Sequence, residues 1–91
     1  MEYQAIILPT AEADLERLSP EVRAAILRRV AWLRDHAGAM IHRRLQNMPE
    51  DLSGLCRVRH SDYRILYWHY PAIRTVKIYR VQLRSEVYRD L

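Results

Sequence analysis

The sequence predicts an α+β fold, in which an N-terminal strand and a helical hairpin precede an antiparallel three-stranded meander that completes a small sheet. Two observations lead to this prediction. Apolar residues recur at helical intervals of three and four up to Leu33, whereas they alternate with a period of two in residues 56–81. The chain has 91 residues, of which 49% are apolar, so we expect one folded domain that spans residues 1–91.

The opening strand is predicted from Tyr3 to Leu8, a segment with several β-formers that Pro9-Thr10 ends. The polar segment after it contains Leu15 and Leu18 three residues apart, and acidic residues come early in it. Acidic residues favour the N-terminal end of a helix because they complement its positive partial charge. We therefore predict a short first helix whose N-terminus is capped by the hydroxyl group of Thr10.

A second helix is predicted to begin at Ser19-Pro20 and to end near Gly38. Serine caps a helix with its hydroxyl group, and proline suits the first helical position because no amide hydrogen is needed there. The apolar residues on one face of this helix recur at intervals of four, four and three, and they are Val22, Ile26, Val30 and Leu33. The two helices are expected to form a hairpin that buries this stripe.

Residues 39–55 show no clear periodicity, so we predict a connecting loop with Arg43 and Arg44 exposed. Three strands rich in β-formers follow, and the turns Ser61-Asp62 and Pro71-Ala72 separate them. The strands cover residues 56–60, 63–70 and 76–81, and residues 82–91 form a polar tail. Short turns of this kind join antiparallel neighbours, so the three strands form a meander.

Basic residues are concentrated in the C-terminal third of the chain. Residues 57–91 contain eight basic and three acidic residues, whereas residues 1–36 contain five basic and six acidic residues. Fourteen of the fifteen basic residues are arginines, and Lys77 is the only lysine. The planar guanidinium group of arginine suits phosphate and stacks on bases. This distribution indicates a surface that binds a polyanion, with a solvated arginine-rich surface as the alternative.

The sequence argues against metal-dependent and nucleotide-driven chemistry. Its four histidines lack the spacing of a zinc-binding motif. Its two glycines, Gly38 and Gly54, are too few for a glycine-rich phosphate loop. Cys56 is the only cysteine and alternates with apolar Val58, so we expect a packed thiol and not a nucleophile. We therefore predict no metal and no small-molecule cofactor.

Membrane contact is not expected either. The longest strictly apolar runs, such as Ala5-Ile6-Ile7-Leu8, fall far short of the roughly 20 residues that a membrane-spanning helix needs. The acidic start Met1-Glu2 is unlike a signal peptide. On these observations the expected location of the protein is the cytoplasm.

Two segments of the sequence resemble a known family. Residues 57–67 have the pattern R-V-R-x-x-D-Y-R-I-x-Y, and residues 84–88 read R-S-E-V-Y. With these motifs the chain resembles the RelE/ParE superfamily of toxins from type II toxin–antitoxin pairs, and RelE-like members most. The resemblance covers almost the whole chain, because the opening strand and the two helices also lie where that family has them. It implies a RelE/ParE-like fold.

The resemblance to RelE-like members implies a ribosome-dependent endoribonuclease. Such an mRNA interferase cleaves messenger RNA in the decoding site, independently of metal, and inhibits translation. The implied partners are a cognate antitoxin protein and mRNA on the ribosome. Two alternatives stay open, because ParE-type relatives inhibit DNA gyrase without nuclease activity and a degenerate member would only bind its antitoxin.

Cleavage by the ribose 2′-hydroxyl group needs a base, cations for the negative charge that develops at phosphorus, and a proton for the leaving 5′-oxygen. Arg57 and Arg59 share one face of their strand, and a two-residue turn returns Arg64 close to them. We predict that all three bind the substrate and that Arg64 is also catalytic. Surface ion pairs with Asp62 or Glu86 are the alternative.

Tyr88 is the candidate general base, carried over from the family tyrosine that ends the R-S-E-V-Y segment. Nearby cations favour the phenolate and lower the pKa of a tyrosine from its ordinary value of about 10. Arg84 is the third predicted catalytic residue, which clamps the phosphate or acts beside Tyr88. The alternative for Tyr88 is a ring that packs the C-terminal tail onto the sheet.

The proton donor is not assigned by the motifs. Some family members have an arginine where this sequence has Gln82, and others have a histidine where it has Leu83. His60, near the hairpin tip, is a candidate acid because the ordinary pKa of histidine lies near 6.5. A partly buried structural histidine is the alternative.

Overall fold

The computed structural model describes residues 2–86, which form two α-helices and a five-stranded mixed sheet. The helices are α1 (Pro9–Glu16) and α2 (Pro20–His36). The strands are β1 (Gln4–Ile7), β2 (Arg43–Arg44), β3 (Cys56–His60), β4 (Tyr63–Tyr70) and β5 (Thr75–Leu83). The predicted α+β class is therefore confirmed.

The order of the strands in the sheet is β1-β5-β4-β3-β2. β1 runs parallel to β5, and all other neighbours are antiparallel. The meander of β3, β4 and β5 is the one that the sequence predicts. The N-terminal strand joins the sheet beside β5, so the first and last strands are neighbours.

The main core lies between the helices and one face of the sheet. Both helices contribute buried apolar side chains to it, and so do alternate residues of β3, β4 and β5. The residues of this core with no exposed surface are Ala11, Ile26, Leu33, Ile65, Tyr67, Val76 and Ile78. The stripe predicted on the second helix is the surface that α2 buries, with Val22 at its partly buried end.

The two helices begin in different ways. Ser19 caps α2 as predicted, because its Oγ accepts a hydrogen bond of 3.3 Å from the amide of Val22. The predicted cap of α1 is wrong: the helix begins at Pro9, and the Thr10 hydroxyl donates instead to the carbonyl oxygen of Tyr79 at 2.6 Å. α1 lies along β5 past the end of β1, where the open strand edge offers that carbonyl group. Within residues 2–86, no helix is long and apolar enough to span a membrane.

Two strand boundaries differ from the prediction. Arg43 and Arg44 are exposed as predicted but form β2, which pairs with β3. Two residues are too few to produce a recognisable alternation. The polar tail predicted from Gln82 is wrong at its start, because β5 continues through Gln82 and Leu83 in pairing with β4. Gln82 is buried despite its polar side chain.

The loop between β2 and β3 covers part of the other face of the sheet. Leu55 and Leu66 are fully buried there against Leu45, Met48, Trp68 and Tyr79. The Trp68 indole nitrogen donates to the carbonyl oxygen of Ser53 at 3.0 Å, which fixes the loop on the sheet. The exposed side chains of Arg57 and Arg59 lie on this face beyond the covered area.

A buried ion pair joins α1 to β5. The Asp14 carboxylate accepts hydrogen bonds from Arg80 Nε at 2.8 Å and from Arg80 Nη2 at 3.2 Å. The backbone amide of Val81 donates to the same carboxylate at 2.9 Å. Asp14 is buried, and its two oxygens satisfy both a guanidinium group and an amide of the open β5 edge.

Candidate nucleic-acid interface

A groove with a volume of about 630 Å³ crosses the outer edge of β3 beyond the end of β2. β2 pairs only with Cys56 and Arg57, so it leaves the rest of that edge open. The arginines that line the groove are Arg29, Arg43, Arg57, Arg59, Arg64 and Arg84. Its apolar lining is formed by Trp32, Met40, Ile41 and Val58. No acidic side chain of residues 2–85 is part of this lining, so this part of the groove attracts anions.

The turn between β3 and β4 brings three of these arginines onto one face of the sheet. Ser61 adopts a left-handed φ of 53°, which a two-residue hairpin turn requires. The resulting register aligns Arg59 directly with Arg64. Arg57 precedes Arg59 by two residues and shares its face. The residues predicted to bind the substrate thus lie together, while their binding of RNA stays a prediction.

Arg84 reaches the same groove from the end of β5. Its backbone amide donates a hydrogen bond of 2.7 Å to the carbonyl oxygen of Asp62, which ties the chain after β5 to the hairpin turn. The side chain of Arg84 is exposed and lines the groove together with Arg64. Tyr88, the candidate base, lies outside the described residues.

Sequence reasoning missed two arginines of the groove. Arg43 is aligned with Arg57 in the pairing of β2 with β3, and its only sequence signal was exposure in an irregular segment. Arg29 lies on α2 beside Val30, at the border of the apolar stripe. A basic residue at the border of the apolar stripe of a helix lies where the helix meets the edge of the sheet. The position of Arg29 beside this stripe was the sequence signal that could have identified it.

The candidate proton donor is not part of the groove lining in residues 2–86. His60 is half-buried and shares the helix-covered face of β3 with Val58. This placement favours the structural alternative for His60. Gln82 is aligned with Arg64 but only 4% exposed, and Leu83 follows it at the end of β5.

A second group of ionisable side chains lies inside the fold. His42 Nε2 donates to the carbonyl oxygen of Ala37 at 2.8 Å, and its Nδ1 is hydrogen-bonded to the Tyr67 hydroxyl group, also at 2.8 Å. The His42 ring stacks on His69 with the ring centroids 3.8 Å apart. The Tyr3 hydroxyl group and His69 Nε2 are hydrogen-bonded at 2.8 Å.

None of these four side chains is part of the described groove lining. Burial raises the pKa of Tyr67, so its phenol stays protonated and is no base. Burial, and then the neighbouring His42 and Arg44, lower the pKa of His69. Both side chains are therefore neutral near pH 7 and serve to connect β4 with the loop before β2.

Metal and thiol chemistry have no site in the described part of the chain. Residues 2–86 contain no group of three or more His, Cys, Asp or Glu side chains that could hold a metal ion. The Cys56 side chain is buried, and its Sγ donates to the carbonyl oxygen of Gly54 at 3.3 Å. Burial raises the pKa of this thiol more than Arg44 lowers it, so a reactive thiolate is disfavoured.

Solved structures share this fold. The RelBE2 toxin–antitoxin complex of Mycobacterium tuberculosis contains a chain with a TM-score of 0.76 and 28% identity, over 93% of this chain and 94% of that chain. A chain of the RelE–RelB complex of Pyrococcus horikoshii has a TM-score of 0.70 and 18% identity, over 96% of this chain and 100% of that chain. The isolated RelE toxin of Escherichia coli has a TM-score of 0.66 and 21% identity, over 97% and 93%. The architecture is therefore that of the RelE-type toxins.

The sequence comparison goes further than the fold. The chain is 32% identical over 90 residues to Toxin RelE of Mycobacterium tuberculosis, and the match covers 96% of this chain and 87% of that toxin. No protein-family model matches the sequence. The chain belongs to the RelE family of toxins from toxin–antitoxin systems, and the resemblance found in the two sequence motifs is confirmed.

Proposed function

We propose that this toxin is a ribosome-dependent endoribonuclease that cleaves mRNA in the decoding site, without a metal, and so inhibits translation. The observation that carries the proposal is the groove at the β3 edge, whose described lining contains six arginines. A groove of this charge binds a phosphodiester chain. Membership of the RelE family supports RNA as the chain that is bound.

The proposed reaction is attack by a ribose 2′-oxygen on the adjacent phosphorus. The 2′-oxygen forms a bond to phosphorus while the bond to the 5′-oxygen breaks, which leaves a 2′,3′-cyclic phosphate and a 5′-hydroxyl group. Negative charge increases on the phosphoryl oxygens in the transition state. Arg64 is proposed to stabilise that charge, with Arg57 and Arg59 holding the phosphate in register. Their common face of the hairpin supports these roles.

The two proton transfers need groups other than arginine, because a guanidinium group does not give up its proton in proteins. Among residues 2–85, the other side chains of the groove lining are apolar. We assign the general base, which takes the proton of the 2′-hydroxyl group, to Tyr88, and the leaving 5′-oxygen takes its proton from water. It follows Arg84 by four residues, so an extended chain keeps their α-carbons within about 14 Å. Cations of the groove would favour its phenolate form.

A cognate antitoxin is the proposed protein partner. Chains with the same fold are found in RelB–RelE and RelBE toxin–antitoxin complexes. A segment that is acidic where it meets the groove would neutralise the arginines and compete with RNA for them. Such a segment can order on binding and wrap around the toxin.

The test is to induce the chain in cells and to sequence the 5′ ends of transcripts. Because the proposed products carry 5′-hydroxyl ends, new ends should be captured only after phosphorylation of the RNA. The expected result is growth arrest with cleavage inside translated regions. Arg64→Gln should abolish both effects, while Arg28→Gln, which removes an exposed arginine of α2 outside the groove, should keep them.

Two other outcomes would replace the proposal. Chromosome breaks with intact transcripts would assign the chain to gyrase inhibition, as in ParE-type toxins. Absence of growth arrest would assign it to antitoxin binding alone. A specific observation favours the second of these: the family positions that can carry arginine or histidine hold Gln82, which is buried, and Leu83, which has no ionisable group.

A further inference from the structure

Arg29 is held in place by two contacts of different kinds. Its Nε donates a hydrogen bond of 3.1 Å to the carbonyl oxygen of Arg59 at the open edge of β3. Its guanidinium carbon lies 4.0 Å from the centre of the Trp32 ring. A cation stacked on an indole ring is attracted by the negative face of the ring. The position of this guanidinium group is therefore fixed by both α2 and β3.

The ring on which Arg29 stacks is itself fixed. Trp32 stacks on His36 with ring centroids 4.4 Å apart and an interplanar angle of 19°. The His36 Nδ1 atom is 2.7 Å from the carbonyl oxygen of Trp32, one helical turn earlier, and donates to it. Trp32 is nevertheless 36% exposed, which is high for a tryptophan with these contacts. A rigid, exposed platform thus carries the cation at the border of the groove.

The two contacts leave the outer end of the Arg29 guanidinium group for a ligand. To residues 2–85, its contacts are made through Nε and through the face of the group. The terminal nitrogens carry the paired N–H donors that suit two oxygens of one phosphate. Arg29 lines the groove, so these donors adjoin the space that a bound chain would occupy.

Arg29 and the arginines of the β3–β4 hairpin reach the groove from opposite faces of the sheet. The side chains of Arg57 and Arg59 project from the open face of the sheet, while α2 packs on the face that Val58 shares. The groove contains residues of both faces because β2 ends before it. A chain that lies in the groove must therefore cross the edge of β3, from Arg59 towards Arg29.

We propose that Arg29 is a further substrate-binding residue, which holds a phosphate next to the scissile one in a single-stranded ribonucleotide chain that crosses the β3 edge. Trp32 acts as a positioning residue that keeps the guanidinium group in place. This inference rests on the proposed function, since it assumes that RNA occupies the groove. With Arg29 held by Trp32, the site would bind one phosphate on each side of β3.

The test uses a short single-stranded RNA in which every ribose carries a 2′-O-methyl group, so that the proposed cleavage cannot occur. Neutral methylphosphonate linkages replace its phosphates one at a time, and binding to the full chain is measured at low salt. Loss of a charged hydrogen-bonded contact should weaken binding roughly tenfold. Neutralising one particular linkage should weaken binding to the wild type by this factor. The same change should not weaken binding to Arg29→Gln, because that variant already lacks the contact with this phosphate.

Three variants make the outcome specific. Arg28→Gln removes an equal charge from the neighbouring position outside the groove and should behave as the wild type. Trp32→Leu should reduce the loss at the same linkage, whereas Trp32→Phe, which keeps an aromatic ring, should restore it. A full loss in Trp32→Leu would overturn the positioning role.

The inference and the proposed function can fail separately. If Arg29→Gln loses affinity at every linkage as the wild type does, while Arg64→Gln weakens binding of the unmodified RNA, the groove binds RNA and the inference about Arg29 is overturned. If Arg64→Gln binds the unmodified RNA as well as the wild type does, the proposed RNA-binding function of the groove is overturned instead.

Discussion

Arginine has opposite roles in two regions of this molecule. At the contact of α1 with β5, Arg80 donates two hydrogen bonds to the buried carboxylate of Asp14. In the groove at the β3 edge, Arg59 and Arg64 are aligned with each other, and four more arginines share the lining with them. One region uses the guanidinium group to complete the fold. The other gathers like charges at some electrostatic cost, which a polyanion would relieve.

The role of an arginine in this protein depends on the side chains that it faces, more than on the number of arginines in the chain. A cation that meets a buried carboxylate and leaves no donor unsatisfied is part of the structure. A cation that lies beside other cations at a concave surface adds to a positive potential that attracts a polyanion. We therefore expect substitutions at the contact of Asp14 with Arg80 to lower stability, and substitutions in the groove to reduce RNA binding and cleavage.

The largest expected effect on stability is at Asp14. Asp14→Ala removes the acceptor of the Arg80 guanidinium group and of the Val81 amide, and it should lower the free energy of unfolding by about 3 kcal/mol. Urea unfolding followed by circular dichroism measures the change. The control is Asp35→Ala, which breaks the exposed pair of Arg34 and Asp35 and should change stability by about 0.5 kcal/mol or less. Equal effects of the two substitutions would remove the distinction between the regions.

The largest expected effect on activity is at Arg64. Arg64→Gln should reduce transcript cleavage on the order of 100-fold, because one cationic donor to the developing phosphoryl charge is lost. Stability should change by about 1 kcal/mol or less, since the half-buried side chain leaves no cavity. Primer extension on a translated message measures cleavage. Normal cleavage in a folded Arg64→Gln variant would contradict the role of the groove.

The stacked pair of His42 and His69 makes the stability of the fold depend on pH. His69 has a lowered pKa because of burial and because His42 and Arg44 are close, while Tyr3 contacts its other side. Below pH 6.5 the unfolded chain takes up the proton more readily than the native state. The contribution of His69 to stability is therefore complete above pH 6.5 and decreases as the pH falls below it.

This pH dependence is measured as the midpoint of urea unfolding between pH 7.5 and 5. His69→Gln keeps a hydrogen-bonding group near Tyr3 but cannot be protonated, so its midpoint should decrease less over that range than the midpoint of the wild type. An identical decrease in both proteins would show that other groups cause it.

The smallest expected effect is at Arg43, an exposed groove residue on the short strand β2. Arg43→Gln should weaken RNA binding only a few-fold, because an exposed charge is well screened. It should also lower the slope of log affinity against log salt by about 0.7, the value for one contact to a single strand. Fluorescence anisotropy at several salt concentrations measures this. An unchanged slope would exclude Arg43 from the interface.

Local sequence patterns predicted most of the secondary structure. The Ser19-Pro20 start of α2 and the alternation in residues 56–60 are signals contained within a few neighbouring residues. The predictions were wrong where contacts between residues far apart in the chain determine the local structure. Thr10 donates to Tyr79, which is 69 residues away in the chain, and β2 exists only because β3 lies beside it.

In the candidate site, too, the features set by neighbouring residues could be predicted and those set by distant contacts could not. Arg57, Arg59 and Arg64 could be grouped from the strand period and a two-residue turn, because both are local. Arg29 could not, because it enters the groove through the packing of α2 across the sheet edge. Asp14 gave no signal of its role either, since its partners Arg80 and Val81 lie 66 and 67 residues away.

The short length of β2 has a consequence for self-association. A strand edge that lacks a neighbour is a template on which a second copy of the chain could pair, and repeated pairing of this kind leads to aggregates. Here the open part of β3 is flanked by Arg57 and Arg59, and Arg29 occupies the carbonyl group of Arg59. An approaching copy would bring its own guanidinium groups against these, so electrostatic repulsion disfavours pairing at this edge. The same residues are proposed to bind RNA.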